Sequence, residues 1–102
     1  MQSLGGDMKA EDFVKGLPPR AKWTRTNLVT GEVESAEGDV DSTATTVLIA
    51  GSKSGILCYT NRDLFTVQGN VHLAVVRTGS GNLFCDRYEE TRTEAGLRTA
   101  NR

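Results

Sequence analysis

The chain has 102 residues, 37% of them apolar and 25% charged, ordinary globular proportions that exclude a disordered or fibrous polymer. Its formal net charge of −1 gives no global attraction to nucleic acid or to an anionic membrane. The longest apolar runs reach about six residues, against the roughly 20 that span a bilayer. The opening residues lack the charged-then-apolar pattern of a secretory leader, so a cytoplasmic location is expected.

In chain order, residues 1–7 read as a flexible lead and residues 8–88 as one domain. Ala10, Phe13, Val14 and Leu17 recur at i, i+3, i+4 and i+7, which predicts a short helix over 8–16 with Asp7 as its N-cap. Pro18 and Pro19 end it, because neither the residue before a proline nor the proline itself continues a helix. So short a helix must dock its apolar stripe on something.

Beyond the prolines the period changes to that of strands. Residues 21–29 form the first expected strand, with a turn at Thr30-Gly31, and residues 32–41 the second, with Gly38 inside it marking a bulge or bend. Ser42 to Ala44 reads as a short turn. The apolar, β-branched run 45–50 reads as a buried central strand, and 56–59 as the start of another. Strands 64–68 and 71–77 meet at Gly69-Asn70, a hairpin signal, and 83–88 is the last strand. The polar residues 89–102 read as a frayed tail or a short exposed helix. The fold class is therefore mostly β: a short N-terminal helix, then a small, strongly bent antiparallel barrel of five or more strands. A core of this size buries a modest share of the surface, and association with copies or a partner would complete the burial.

Few residues suggest chemistry. His72 lies between apolar neighbours with no local carboxylate, and a ribonuclease-like grouping with Arg77 or Arg87 rests on residue types alone. Cys58 and Cys85 read as small core thiols, or as one disulfide in an oxidising compartment. Glu37, Asp39 and Asp41 alternate along one strand, but the spacing is not a cation loop, and no metal or cofactor is implied. The glycine-rich stretches 51–55 and 79–81 do not lead into helices, so they are loops rather than phosphate cradles. Trp23, Tyr59, Phe65 and Phe84 are needed in the core, although exposed strand aromatics can stack bases. The basic stretch Arg20, Lys22, Arg25 and the acidic residues from Glu32 to Asp41 are either solvated faces or a surface of two opposite signs.

Two segments carry a resemblance. Residues 29–48, with a turn glycine at Gly31, a bent strand, Asp41 and an apolar third strand, resemble the first Sm motif of Sm and Sm-like proteins. Residues 65–76, with Gly69-Asn70 between two strands, resemble the second. The resemblance implies a five-stranded bent barrel whose strand edges pair with neighbouring subunits. It also implies RNA-binding loops at Asp41, Thr43 and Thr45 and at Gln68, Gly69 and Asn70. The chain departs from the family pattern at Thr43 and Thr45, where an aromatic and an asparagine are usual, and at Gln68, where a basic residue is usual. These departures weigh against uridine recognition of the family's kind. The expected function is a non-enzymatic binding or assembly module, Sm-like and RNA- or ribonucleoprotein-associated, acting as a homo-oligomer or with a protein partner. The alternatives are a phage- or pathogen-type effector that inhibits a host protein, and a small nuclease-like hydrolase using His72.

Overall fold

In the computed structural model, residues 8–91 are described; the lead expected over 1–7 and the tail beyond 91 lie outside the described residues. One helix, α1 (Ala10–Lys15), precedes seven strands: β1 (Arg20–Asn27), β2 (Val33–Thr43), β3 (Thr46–Ile49), β4 (Leu57–Cys58), β5 (Leu64–Gln68), β6 (Val71–Arg77) and β7 (Leu83–Glu90). The strands form one antiparallel sheet of order β4-β3-β2-β1-β7-β6-β5, curled into a half-barrel. Two meanders, β1 to β4 and β5 to β7, share the long-range β1–β7 ladder. The five residues 59–63 carry the chain from one edge of the sheet to the other.

Strand alternation decides what fills the curl. Ala21, Trp23, Val47, Ile49, Leu57, Tyr59, Phe65, Ala74 and Tyr88 are all buried on the concave side. The helix plugs the opening. Phe13 stacks on Phe65 at 4.6 Å between ring centroids and meets Tyr59 and Tyr88 edge-on at 5.6 and 6.1 Å.

The bend in β2 lies where the sequence placed it. The strand pairs with β1 over Val33–Asp39 and with β3 over Val40–Thr43. At the corner, a Cβ on Gly38 would stand 3.1 Å from both the Cβ and the carbonyl oxygen of Ala50, tight enough that Ala50 would have to give by a few tenths of an ångström, and glycine lets the two backbones approach without that shift.

Several expectations need correction. The helix begins two residues later than predicted, and its N-cap is Lys9 rather than Asp7, with no side-chain cap. A distant residue supplies the missing acceptor: the Ala10 N–H donates to Asn61 Oδ1 at 2.8 Å. The run 45–50 is not a fully buried central strand, because β3 neighbours an edge and Leu48 faces outward. The second strand runs on to Thr43, and the turn is made by Ala44 and Thr45, with Ala44 at φ 53°. The last strand reaches Glu90, and the Thr91 N–H donates to the Arg20 carbonyl at 3.2 Å. The cysteines are not core thiols. Alternation puts them on the convex face, Cys58 exposed and Cys85 half-buried, both free, with β3, β2 and β1 between their strands.

The two-signed surface is also not what forms. The β1–β2 register sets Arg20 opposite Asp39, Lys22 opposite Glu37 and Arg25 opposite Glu34, so the charges face each other across one ladder. Arg20 and Asp39 are joined at 2.6 Å.

Candidate functional site

Among the described residues the interior holds a charged residue that the sequence reading did not single out. Asp86, on the concave face of β7, is 0% exposed and lies directly opposite Arg25 of β1. Its Oδ1 accepts from Arg25 Nε at 2.6 Å and its Oδ2 from Arg25 Nη2 at 2.8 Å, a bidentate pair. The Tyr59 hydroxyl also donates to Oδ2 at 2.6 Å and shares a proton contact with the Tyr88 hydroxyl at 2.6 Å. Burial pushes both tyrosines far above the ordinary phenol value, and the negative charge of Asp86 pushes them further. Burial alone would lower the Arg25 pKa, but the hydrogen bonds and charge of Asp86 outweigh it and raise the net value. The network is therefore a closed structural unit: a locked carboxylate, a locked guanidinium and two neutral phenols.

Above this unit lies a groove of about 600 Å³, lined by Arg25, Asn27 and Phe84 on the floor, with residues 32–35 on one wall and Gly51, Lys53 and Ser54 on the other. The Arg25 guanidinium lies 4.4 Å from the Phe84 ring centroid, a cation–π contact. Asn27 turns the β1–β2 hairpin: its Oδ1 accepts from the N–H groups of Val29 and Thr30 at 2.9 and 3.1 Å. Glu34 holds the loop that makes the second wall, accepting from Lys53 N at 2.7 Å, Ser54 N at 3.1 Å and the Ser54 hydroxyl. The Ser54 bond, more than the backbone bonds, lowers the Glu34 pKa. Sequence reading missed this groove because its parts come from β1, β2, β7 and the 51–54 loop. The one usable signal was an exposed apolar hairpin tip: Leu28, Val29 and Val33 are each more than half exposed.

The residues singled out by the resemblance lie at two turns. Asp41 and Thr43 are exposed near the end of β2, and Thr45 is half-buried in the β2–β3 turn, where its carbonyl accepts the Tyr59 N–H at 2.9 Å. Gln68, Gly69 and Asn70 are exposed at the β5–β6 hairpin, with Gly69 at φ 60°. No hydrogen bond joins the two groups among the described residues. Nor is the nuclease-like grouping assembled. His72 faces Phe13 on the concave side, whereas Arg77 and Arg87 alternate onto the convex side, and Arg87 pairs with Glu89 at 2.9 Å. His72 Nδ1 is buried without a partner, and burial lowers its pKa despite the nearby Glu90 charge. Of the four aromatics, Trp23, Tyr59 and Phe65 are in the core; Phe84 belongs to the groove. Among the described residues, no three His, Cys, Asp or Glu side chains are grouped to hold a metal ion.

The sheet edges form the other accessible feature. Among the described residues, β4 pairs only with β3, and β5 only with β6. Each edge is flanked by apolar side chains on the convex face. Ile56, 65% exposed, sits one register step beyond the Val47–Leu57 pair and so beside Leu48; Leu64, 52% exposed, sits beside Val75. No helix among the described residues is long and apolar enough to cross a membrane.

Comparison with protein-family models, with curated proteins and with solved structures finds no match to this chain.

Proposed function

We propose that the protein is a non-enzymatic binding and assembly module, Sm-like in its plan, that associates through its two open strand edges. The observation that carries the reading is that the curled sheet stops short of closure while each edge displays an apolar residue, Ile56 just before β4 on one side and Leu64 at the start of β5 on the other. Natural sheets guard such edges with charge, proline, bulges or very short edge strands; β4 has only two residues, but neither β4 nor β5 contains a charged residue or a proline. Laying β4 of one copy against β5 of the next would extend the backbone ladder. It would also join Leu48 and Ile56 to Leu64 and Val75 in one apolar strip. Such a contact is head-to-tail, which closes into a ring or grows into a filament.

The helix before the first strand, the bend of β2 at Gly38 and the Gly69-Asn70 hairpin support the Sm-like plan. RNA association is the second reading, supported by the exposure of Asp41, Thr43, Gln68, Gly69 and Asn70 at two turns. Light scattering of the pure protein, alone and with a short single-stranded RNA, tests both. Assembly above the 11.0 kDa monomer mass is the expected result. A monomer at all concentrations, with no RNA bound, removes both readings and leaves the heterologous partner of an effector as the explanation of the edges.

A further inference from the structure

The groove above the Arg25–Asp86 pair is built from donors that the fold leaves uncommitted. Asp86 takes Arg25 Nε and one N–H of Nη2, so the Nη1 group is held in place by a planar fork yet makes no hydrogen bond among the described residues. Asn27 Oδ1 is fixed as the acceptor of two backbone N–H groups, which identifies the other amide atom as Nδ2; it too makes no hydrogen bond among the described residues. Lys53, on the facing wall, is exposed and forms no ion pair among them. Both oxygens of Glu34, the acid opposite Arg25 on β2, already accept hydrogen bonds from the 53–54 loop.

A floor of pre-oriented N–H donors matches an acceptor with several lone pairs, and a carboxylate is the group that fits. The apolar tip of the β1–β2 hairpin, Leu28, Val29 and Val33, continues from the same end of the sheet. Glu32 and Glu34 also line the groove, and Asp86 compensates the charge of Arg25 beneath it. Repulsion by that acidic rim grows with the charge brought in, so a polyphosphate backbone would meet it more unfavourably than one carboxylate carried between aliphatic side chains.

We propose that this groove receives an acidic side chain from a partner protein, carried on an extended segment with aliphatic residues on either side. The carboxylate takes hydrogen bonds from Arg25 Nη1 and Asn27 Nδ2 and faces Lys53, while its neighbours cover the hairpin tip. No residue of β4 or β5 lines the groove, so this site is independent of edge assembly.

The test uses the full-length protein, isotope-labelled, titrated with the capped pentapeptide Ser-Val-Glu-Leu-Ser and followed by amide chemical shifts. Shifts are expected at Asn27, Val33, Lys53 and Phe84. The same peptide with glutamine in place of glutamate should bind at least about ten-fold more weakly, the scale of one charge-assisted hydrogen bond. Asn27→Asp keeps the oxygen that caps the hairpin and replaces the donor by an acceptor. It should leave the β1–β2 amide spectrum in place and weaken the glutamate peptide by a similar factor. Equal affinity for the two peptides, unchanged binding by Asn27→Asp, or shifts located elsewhere would overturn the assignment. So would a decauridine RNA that displaces the peptide from these residues. If Asn27→Asp alters the hairpin spectrum, Lys53→Glu, on the exposed wall, gives the same reading.

Discussion

Arg25 and Asp86 face each other directly across the β1–β7 ladder and are joined by two hydrogen bonds, at 2.6 and 2.8 Å, inside the curl of the sheet. The aspartate is wholly buried and the arginine side chain is 17% exposed, so solvent screens the pair little. The β1–β7 ladder is also the contact that unites the two meanders, so the pair lies on the seam between them.

Removing one partner strands the other. Asp86→Ala should cost about 3–5 kcal/mol, as expected when a buried charge loses its counter-ion. Replacing both, as Arg25→Met with Asp86→Leu, should recover a large part of that loss. Urea unfolding of the two variants checks it; a single variant within about 0.5 kcal/mol of the parent, the range of ordinary surface changes, would remove the pair from the account of stability.

The Tyr59 hydroxyl ties β4's end to β7. Tyr59→Phe leaves Asp86 one bond short and should cost about 1–3 kcal/mol. The raised folded-state pKa values of Tyr59 and Tyr88 carry a sign. Below the unfolded value of about 10 both states are neutral, and the contribution is fully present. It is lost as pH rises through that value toward the folded one. Phenolate absorbance of these two residues should therefore appear together with alkaline unfolding, not before it.

His72 runs the other way in pH. Burial lowers its folded pKa, so its contribution is present above the unfolded value of about 6.5 and falls away as pH drops through the folded one. Imidazole shifts should titrate below the range of a free histidine, and His72→Phe should flatten the acid limb of the stability curve. An ordinary titration at His72 would contradict the burial effect.

Gly38 is the corner of the sheet. Gly38→Ala presses a methyl against the Ala50 backbone and should cost about 1–3 kcal/mol by thermal or urea unfolding. Gly79→Ala, where a Cβ would meet nothing and φ is not positive, is the matched control and should be near neutral.

Much of this fold was readable from local pattern. The bounds of β5 and β6 follow from alternating apolar residues on either side of Gly69-Asn70, and the helix face from Phe13 and Val14. Gly38 was legible because a glycine inside a strand has few other reasons to be there. What failed had non-local causes. Asn61 caps the helix from 51 residues away, which no local capping pattern encodes. In β7 the alternation was read with Cys85 inward, yet Phe84, Asp86 and Tyr88 face in. An aspartate in a strand ordinarily marks the solvent side, and the opposing Arg25 and the Tyr59 hydroxyl, both distant in sequence, make its burial tolerable. The groove was invisible for the same reason, being assembled from four separate stretches of chain.

The edges give the most direct test of the central claim. Ile56→Lys should block the β4 edge and Leu64→Lys the β5 edge, since an edge lysine opposes strand addition. Each variant alone keeps one competent edge and lacks the complementary one, so in head-to-tail assembly each should be a monomer by native mass spectrometry. Mixed in equal amounts, the intact β4 of one meets the intact β5 of the other, and the account predicts a dimer of twice the 11.0 kDa chain mass that grows no further. Variants that assemble like the parent, or a mixture that stays monomeric while the parent assembles, would contradict assembly through these edges.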